Sequence, residues 1–394
     1  MKAWQIDAYR GPLHLADVPE PVLEPHDVLV EVHAAALNVA DLMVGRGEFK
    51  AFLPAPVPLT YGQDLAGVVT AVGPAVTRFA VGDEVFGCLD VARPGGTMTA
   101  RAAVAGSDLA RTPAGLSMVE AASLPLVSLT AWQVLVERAH VRPGQRVLVH
   151  AGSGGLGSVA VQIAKHLGAT VATTTGTSNV EWVRALGADQ VVDHRTQDFA
   201  ELVHDQDLVL DGLGGEVLDK SFGVLRRGGQ VVGVKGPPDR AFAKSLGLSP
   251  VLQTVMGVLS LRTNRRARKA GVRYSFLFMH SSGAQLEQIA ALVDDGVLRP
   301  VVDRVYPFAE TDQAYAHLAT GRAKGKVVVS VRSRAGSGGF GDPVGVPARA
   351  LGARLDRRRG QRRRGVGQQL ARVVGDGLGG VQQRSGHGVV HDRE

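Results

Sequence analysis

The chain has 394 residues, enough for two domains with sizeable cores. Its formal net charge of +7 would suit a polyanion-binding protein if it were evenly spread, but residues 332–394 hold 13 Arg, no Lys and 5 acidic residues, which leaves residues 1–331 close to neutral. A single cysteine, Cys88, excludes an internal disulfide and a cysteine-rich zinc cluster. No apolar run reaches the roughly 18 residues of a membrane span. The nearest, 246–261, is broken by Ser249, Pro250, Gln253, Thr254 and Ser260. The opening Met1-Lys2-Ala3-Trp4-Gln5 reads as strand rather than as a secretory signal, so a cytoplasmic protein is expected.

Up to about residue 125 the chain reads as short strands, at 28–32, 67–73 and 82–87, punctuated by Pro and Gly as in a small β-rich domain. Ser117-Met118-Val119-Glu120 has capping-box spacing, and helical sequence follows through Leu129-Thr130-Ala131-Trp132 to Ala139. Strands expected at 146–150, 170–175, 190–194, 207–211 and 229–234 then alternate with helices, one of them opening on a second capping box, Ser178-Asn179-Val180-Glu181. This alternation predicts an α/β fold with a doubly wound parallel sheet. A strand at 273–280, a helix at 285–293 and strands at 299–305 and 326–331 follow. The late strands either return to the first domain or extend the sheet, and periodicity does not choose. The tail, 332–394, has 15 Gly, one aromatic (Phe340) and two arginine triplets, too little apolar content to offset the entropy of ordering. A disordered tail is expected there, read either as an RNA- or membrane-binding arm or as an extension without function, such as the out-of-frame end of a GC-rich gene.

The chemistry concentrates at His150-Ala151-Gly152-Ser153-Gly154-Gly155-Leu156-Gly157, between an apolar strand and the helical Val159-Ala160-Val161-Gln162-Ile163. Strand, glycine turn, helix is how a dinucleotide pyrophosphate is held: the turn lets backbone approach, and the helix start offers unpaired N–H groups. The end of the second strand, Ala172-Thr173-Thr174-Thr175-Gly176-Thr177-Ser178-Asn179, carries no acid to accept from a ribose diol. Hydroxyls and an amide suit a 2′-phosphate instead, so NADP(H) is favoured, with Thr174, Ser178 and His194 or Arg195 as candidate ligands. The twelve His offer no clear metal-ligand pair, His150 is expected to pack under the glycine turn, and no metal site is expected. Two polar loop clusters, Asn38-Val39-Ala40-Asp41 and Thr60-Tyr61-Gly62-Gln63-Asp64, read either as cleft lining or as turn chemistry.

Together with the glycine turn, the segments Ala36-Leu37-Asn38-Val39-Ala40-Asp41, Gly62-Gln63-Asp64-Leu65-Ala66-Gly67, Val81-Gly82-Asp83-Glu84-Val85-Phe86-Gly87, Leu129-Thr130-Ala131-Trp132, Leu186-Gly187-Ala188-Asp189 and Gly325-Lys326-Val327-Val328-Val329 carry a family resemblance over about residues 1–331. The chain resembles the zinc-independent medium-chain dehydrogenase/reductases, in their quinone oxidoreductase and enoyl reductase-like branch, and the reticulon-interacting mitochondrial oxidoreductases. The resemblance implies a GroES-like domain over 1–125, completed by about 271–331, and a Rossmann domain over 126–270. It also implies a cofactor in the cleft between them. It assigns the pyrophosphate to Ser153, Gly154, Gly155 and Leu156, the nicotinamide side to Thr130, the ribose to Leu213 and Gly214, and the rest of the cleft to Asn38 and Lys326. Where zinc-dependent relatives have Gly-His-Glu, this chain has Gly62-Gln63-Asp64.

The expected activity is zinc-free hydride transfer from NADPH to a quinone or an activated enone, with protein residues orienting the reactants and excluding water. Asn38, Asp41 and Tyr61 are the candidate catalytic residues; the proton comes from water or from Tyr61. The expected partner is a small-molecule substrate, with a homodimer plausible by resemblance and no nucleic acid. One rival within the class is a reductase of a different activated alkene, such as a polyketide intermediate. The other is a non-catalytic NADP(H)-binding protein that contacts RNA or a membrane through the tail and Arg262, Arg265, Arg266, Arg268 and Lys269, a cluster that otherwise reads as a solvated helix face.

Overall fold

The computed structural model describes residues 1–332 apart from Ala51, Val91, Ala92 and Pro94. The Gly/Arg-rich tail from residue 333 onward therefore lies outside the described residues, and so does the expectation that it is disordered.

Six strands form one all-parallel sheet in the order Gln190–Asp193, Thr170–Thr175, Arg146–Val149, Gln206–Asp211, Leu225–Gly233, Arg273–Phe276. The chain winds outward from Arg146–Val149, then returns to that strand's other side with Gln206–Asp211. The expected doubly wound Rossmann sheet is present, and its switch point lies between those two central strands. Both faces are covered. Val147 and Val149 enter one apolar core together with Val159, Ile163 and Ala164 of the helix Gly155–His166, while Leu148 and Val209 enter another with Phe199 and Leu218. Burial on both sides is why these strands read as continuous apolar runs rather than as alternating ones.

A seven-stranded sheet is mostly antiparallel, with the order Val302–Pro307, Lys326–Ser330, Asp27–Ala36, Asp64–Val72, Glu84–Cys88, Leu109–Arg111, and Arg101–Ala105 paired to Asp27–Ala36; a small three-stranded sheet joins His14–Asp17, Lys2–Ile6 and Leu59–Thr60. Two of the late strands thus return to the first domain. Arg273–Phe276 does not: it is the sixth strand of the parallel sheet, beside Leu225–Gly233, so the expected boundary at 270/271 moves past residue 276. Apolar periodicity announces a strand but not its neighbour, which the crossover connection selects.

The two capping boxes divide in the same way. At Ser117 both halves form: Ser117 Oγ accepts from Glu120 N–H (3.3 Å), and the Glu120 carboxylate accepts from Ser117 N–H (2.9 Å). At Ser178 the box does not form. A 3₁₀ turn, Thr177–Asn179, carries the chain off the strand end, and the helix Val180–Ala185 starts after it with Asn179 already in helical conformation.

Candidate active site

The glycine turn closes on itself by necessity. A Cβ on Gly152 would lie 2.2 Å from Thr173 Oγ1, and one on Gly157 2.1 Å from the Ala151 carbonyl oxygen. Those two glycines are demanded by the protein. Gly154 is not: its φ of −82° and ψ of 173° suit any residue, and a Cβ there would meet only the Ala151 oxygen at 3.4 Å. It borders the crevice, where the first N–H groups of the helix Gly155–His166 have no partner within the helix. An opening that only glycine leaves unfilled, beside unpaired N–H groups, fits a pyrophosphate. His150 lies beneath the turn as expected. Its Nδ1 is 3.2 Å from Thr174 Oγ1, its Nε2 2.9 Å from Ser221 Oγ, and its ring packs edge-on against Phe199. Burial pushes its pKa down to about 4, so it stays neutral.

Two cavities meet at this turn. The larger, about 1000 Å³, is lined by Ser153, Gly154, Thr174, Ser178, His194 and Leu213 of the expected residues. Thr174 is placed differently from expectation. Its hydroxyl accepts from Ala151 N–H (3.1 Å) and faces His150, so it braces the turn. Thr175 Oγ1, also on this wall, is buried with no partner among the described residues. Arg195 lies beside the strand end, its Nε 3.4 Å from the place of a Cβ on Gly176, with His194 Nε2 at 3.7 Å. Among the described residues the Arg195 guanidinium has no carboxylate partner, whereas Lys220 on the same wall is engaged by Asp198 (2.5 Å). Arg322 and Lys324 complete a cationic wall. The one sequence signal for them is the spacing Arg322-Ala323-Lys324-Gly325-Lys326. Gly214 lines neither cavity: its N–H and that of Leu213 are tied to the Asp211 carboxylate at 3.0–3.1 Å.

The second cavity, about 530 Å³, brings together Asn38, Thr130, Gly155, Leu156, Leu213 and Lys326 under apolar walls that include Leu126, Phe49, Phe278 and Met279. Gly325 N–H donates to the Ser153 carbonyl (2.8 Å), which sets the start of Lys326–Ser330 against the glycine turn. Lys326 is therefore delivered to the cavity floor. Its ammonium donates to Leu37 O (2.8 Å), Asn38 Oδ1 (2.5 Å) and Asp64 Oδ2 (3.0 Å), which uses all three protons. Asn38 Nδ2 donates to Asp64 Oδ2 (2.9 Å), and Asp64 Oδ1 accepts from Leu126 N–H (2.8 Å). With a cation on one side and a carboxylate on the other, the Asn38 amide can point only one way. It lines the cavity with one N–H to spare among the described residues. Thr130 spends its hydroxyl proton on Leu126 O (2.7 Å).

Asp41 and Tyr61, expected as catalytic, line a third cavity, about 640 Å³, which shares Gln63, Leu89 and Asp90 with the second. Tyr61 packs over Gly45 and edge-on against Tyr315, with ring centroids 5.0 Å apart. Asp41 Oδ2 accepts from Asn38 N–H (2.8 Å) and Tyr315 O–H (3.2 Å), while Oδ1 is buried without a partner among the described residues. Burial first, and the nearby Asp64 charge after it, push the Asp41 pKa up to about 7. A carboxyl raised in the folded state binds its proton there while the unfolded chain, near 3.8, has already released its own. Its contribution to stability is therefore complete below pH 4 and is lost as pH rises through 7. Asp41→Asn keeps an oxygen for both donors and removes the titration. It should flatten the fall in stability between pH 4 and 7 and be more stable than the parent at pH 8 by roughly 2–4 kcal/mol, read by urea unfolding at each pH.

Profiles of two families match the chain: "Alcohol dehydrogenase GroES-like domain" over residues 24–117 and "Zinc-binding dehydrogenase" over 186–329. Over 356 residues the chain is 32% identical to the mitochondrial NAD(P)H oxidoreductase RTN4IP1 of Mus musculus, covering 84% of this chain and 89% of that one. The chain belongs to the medium-chain dehydrogenase/reductase family. Within that family it is 33% identical to the chloroplastic NADPH-dependent alkenal/one oxidoreductase of Arabidopsis thaliana, over 84% of its own length and 79% of the relative's. It superimposes on a quinone oxidoreductase from Coxiella burnetii with a TM-score of 0.72 and 31% identity, covering 84% and 99% of the two chains. It also spans just 5% of the much longer polyketide synthase GfsB of Streptomyces halstedii, at 35% identity.

One family profile carries zinc in its description, and the donors here do not suit that ion. Among the described residues no group of three or more His, Cys, Asp or Glu could hold a metal. At Asp64, beside Cys88, both carboxylate oxygens are already taken, one by the Lys326 ammonium and the Asn38 amide, the other by the Leu126 N–H. A dication there would have to displace a cation.

Proposed function

We propose that the protein is an NADPH-dependent oxidoreductase that reduces a quinone or an activated enone without zinc. The observation that carries this reading is the junction of the two cavities: the cationic crevice at the glycine turn runs, through Leu213 and the Ser153–Leu156 segment, into an apolar cavity floored by Asn38 and Lys326. Ser153, Gly154, Gly155 and Leu156 would hold the pyrophosphate, and His194 with Arg195 and Ser178 the 2′-phosphate. Thr130, Leu213, Asn38 and Lys326 would surround the nicotinamide half. When bound, reduced NADP supplies the hydride. The chain's residues bind, orient and keep water out, and the spare N–H of Asn38 is a donor available to an oxygen of the acceptor. An acceptor already poor in electrons needs no stronger acid. The proton comes from water rather than from Tyr61, which faces a different cavity, so Tyr61→Phe should retain turnover. The names of the relatives above, an alkenal/one reductase and a quinone oxidoreductase, point to the same acceptor class. The stretch shared with a polyketide synthase favours, as the second reading, a different activated alkene, such as a polyketide intermediate.

The test is oxidation of NADPH against NADH across quinones and enones. Turnover that favours NADPH supports the reading; tight NADPH binding with no turnover on any acceptor favours the non-catalytic rival. Arg195→Ala should raise the KM for NADPH about tenfold or more, leave NADH unchanged and barely move kcat, because a charge-assisted bond to the phosphate is lost.

A further inference from the structure

From residue 240 to 272 the chain carries seven Lys or Arg and no acidic residue. Two helices fill most of this stretch, Pro250–Leu259 and Leu261–Lys269. The first turns Met256 inward, yet keeps a second apolar stripe outside. Val251 is 72% exposed, Val258 64%, Leu259 61% and Val255 46%, and at spacings of four, three and one they fall on one face of the helix. The second helix buries Thr263 and Ala267 and turns Arg262, Arg265, Arg268 and Lys269 outward. Among the described residues, of its five cations only Arg266 has a carboxylate partner, Asp219.

We propose that this helix pair is a docking surface for an anionic lipid bilayer. A contiguous exposed apolar stripe needs an occupant. The charge beside it decides which one. A second copy of this chain seated stripe to stripe would bring its own unpaired cations against these. A nucleic acid would satisfy the arginines but leave four aliphatic side chains in water, and the exposed residues of the two helices include no aromatic ring on which a base could stack. Lipid satisfies both: aliphatic groups enter the acyl boundary while Arg and Lys meet phosphate headgroups. Since no helix among the described residues is long and apolar enough to cross a membrane, the docking is peripheral.

The experiment uses the full chain carrying Leu259→Trp and vesicles of phosphatidylcholine, with or without phosphatidylglycerol. The added tryptophan should shift to the blue on the anionic vesicles and not on the neutral ones. In sedimentation, the triple variant Val251→Ser, Val255→Ser, Val258→Ser should bind at least tenfold more weakly, and Arg262→Gln, Arg265→Gln, Arg268→Gln should lose about fivefold per charge. Unchanged thermal unfolding checks that each variant folds. An unshifted Leu259→Trp on vesicles that still carry the chain down would assign the binding to the arginine-rich tail and overturn the proposal. So would a dimer in solution that the serine variant dissociates, or RNA binding that the glutamine variant abolishes.

Discussion

Lys326→Met is expected to destabilise the protein by about 3 kcal/mol and to remove most of its activity. The ammonium is 5% exposed and its partner Asp64 is fully buried. Removing one member of a buried ion pair typically costs about 3–5 kcal/mol, because the other charge is left uncompensated. Asp64 would retain donors from Asn38 and Leu126, which sets the loss at the low end of that range. The double variant Asp64→Leu, Lys326→Met should recover much of the stability, since a buried pair is often no better than apolar groups of like volume. It should not recover kcat/KM, because the Asn38 amide loses both groups that fix its direction. Urea unfolding of the three proteins alongside NADPH turnover separates the two effects. A Lys326→Met protein with the parent's unfolding midpoint would mean that Asp64 is not held as a buried anion. A double variant with parental turnover would remove Asn38 positioning from the mechanism.

That network also shows where the sequence stops being readable. The glycine turn was legible because its parts are neighbours: the strand Arg146–Val149, the turn and the helix Gly155–His166 follow one another, and their close approaches are local. The Lys326–Asp64 contact joins residues 262 apart, and its ends lie in segments that each look like an ordinary loop or strand start. Only the antiparallel return of Lys326–Ser330 to Asp27–Ala36 brings them together. The place of the sixth parallel strand, though not its existence, was hidden for the same reason, since its neighbour is chosen by a crossover. Tyr61 and Asp41 are a different case. Their residue types suit a cleft, but Asn38, at the start of the helix Val39–Gly45, lines one cavity and Asp41, within it, the neighbouring one, and no spacing rule states which side of a short helix faces a ligand. Local competition misled at Ser178, where a 3₁₀ turn at the strand end displaced a capping box that the spacing alone permits.

Gly154→Ala should leave stability within about 1 kcal/mol of the parent and weaken NADPH binding by tenfold to a hundredfold. Its backbone is extended and not left-handed, and a methyl group would make one ordinary contact, with the Ala151 oxygen at 3.4 Å. Alanine is a poorer N-cap than glycine, but the loss of unfolded-chain freedom acts the other way, and each effect is of order 0.5–1 kcal/mol. The methyl would instead stand in the crevice, against the place a pyrophosphate needs. Gly157→Ala is the contrasting case. Its Cβ would fall 2.1 Å from a backbone carbonyl oxygen, so the turn itself must move, and both stability and binding should fall. Titration of NADPH fluorescence with thermal unfolding of both variants reads this contrast directly. If Gly154→Ala binds NADPH as tightly as the parent, the pyrophosphate does not rest on this turn, and the dinucleotide would have to be sought elsewhere on the sheet. If both variants lose stability alike, Gly154 is a structural glycine like its neighbours, and the cradle argument fails with it.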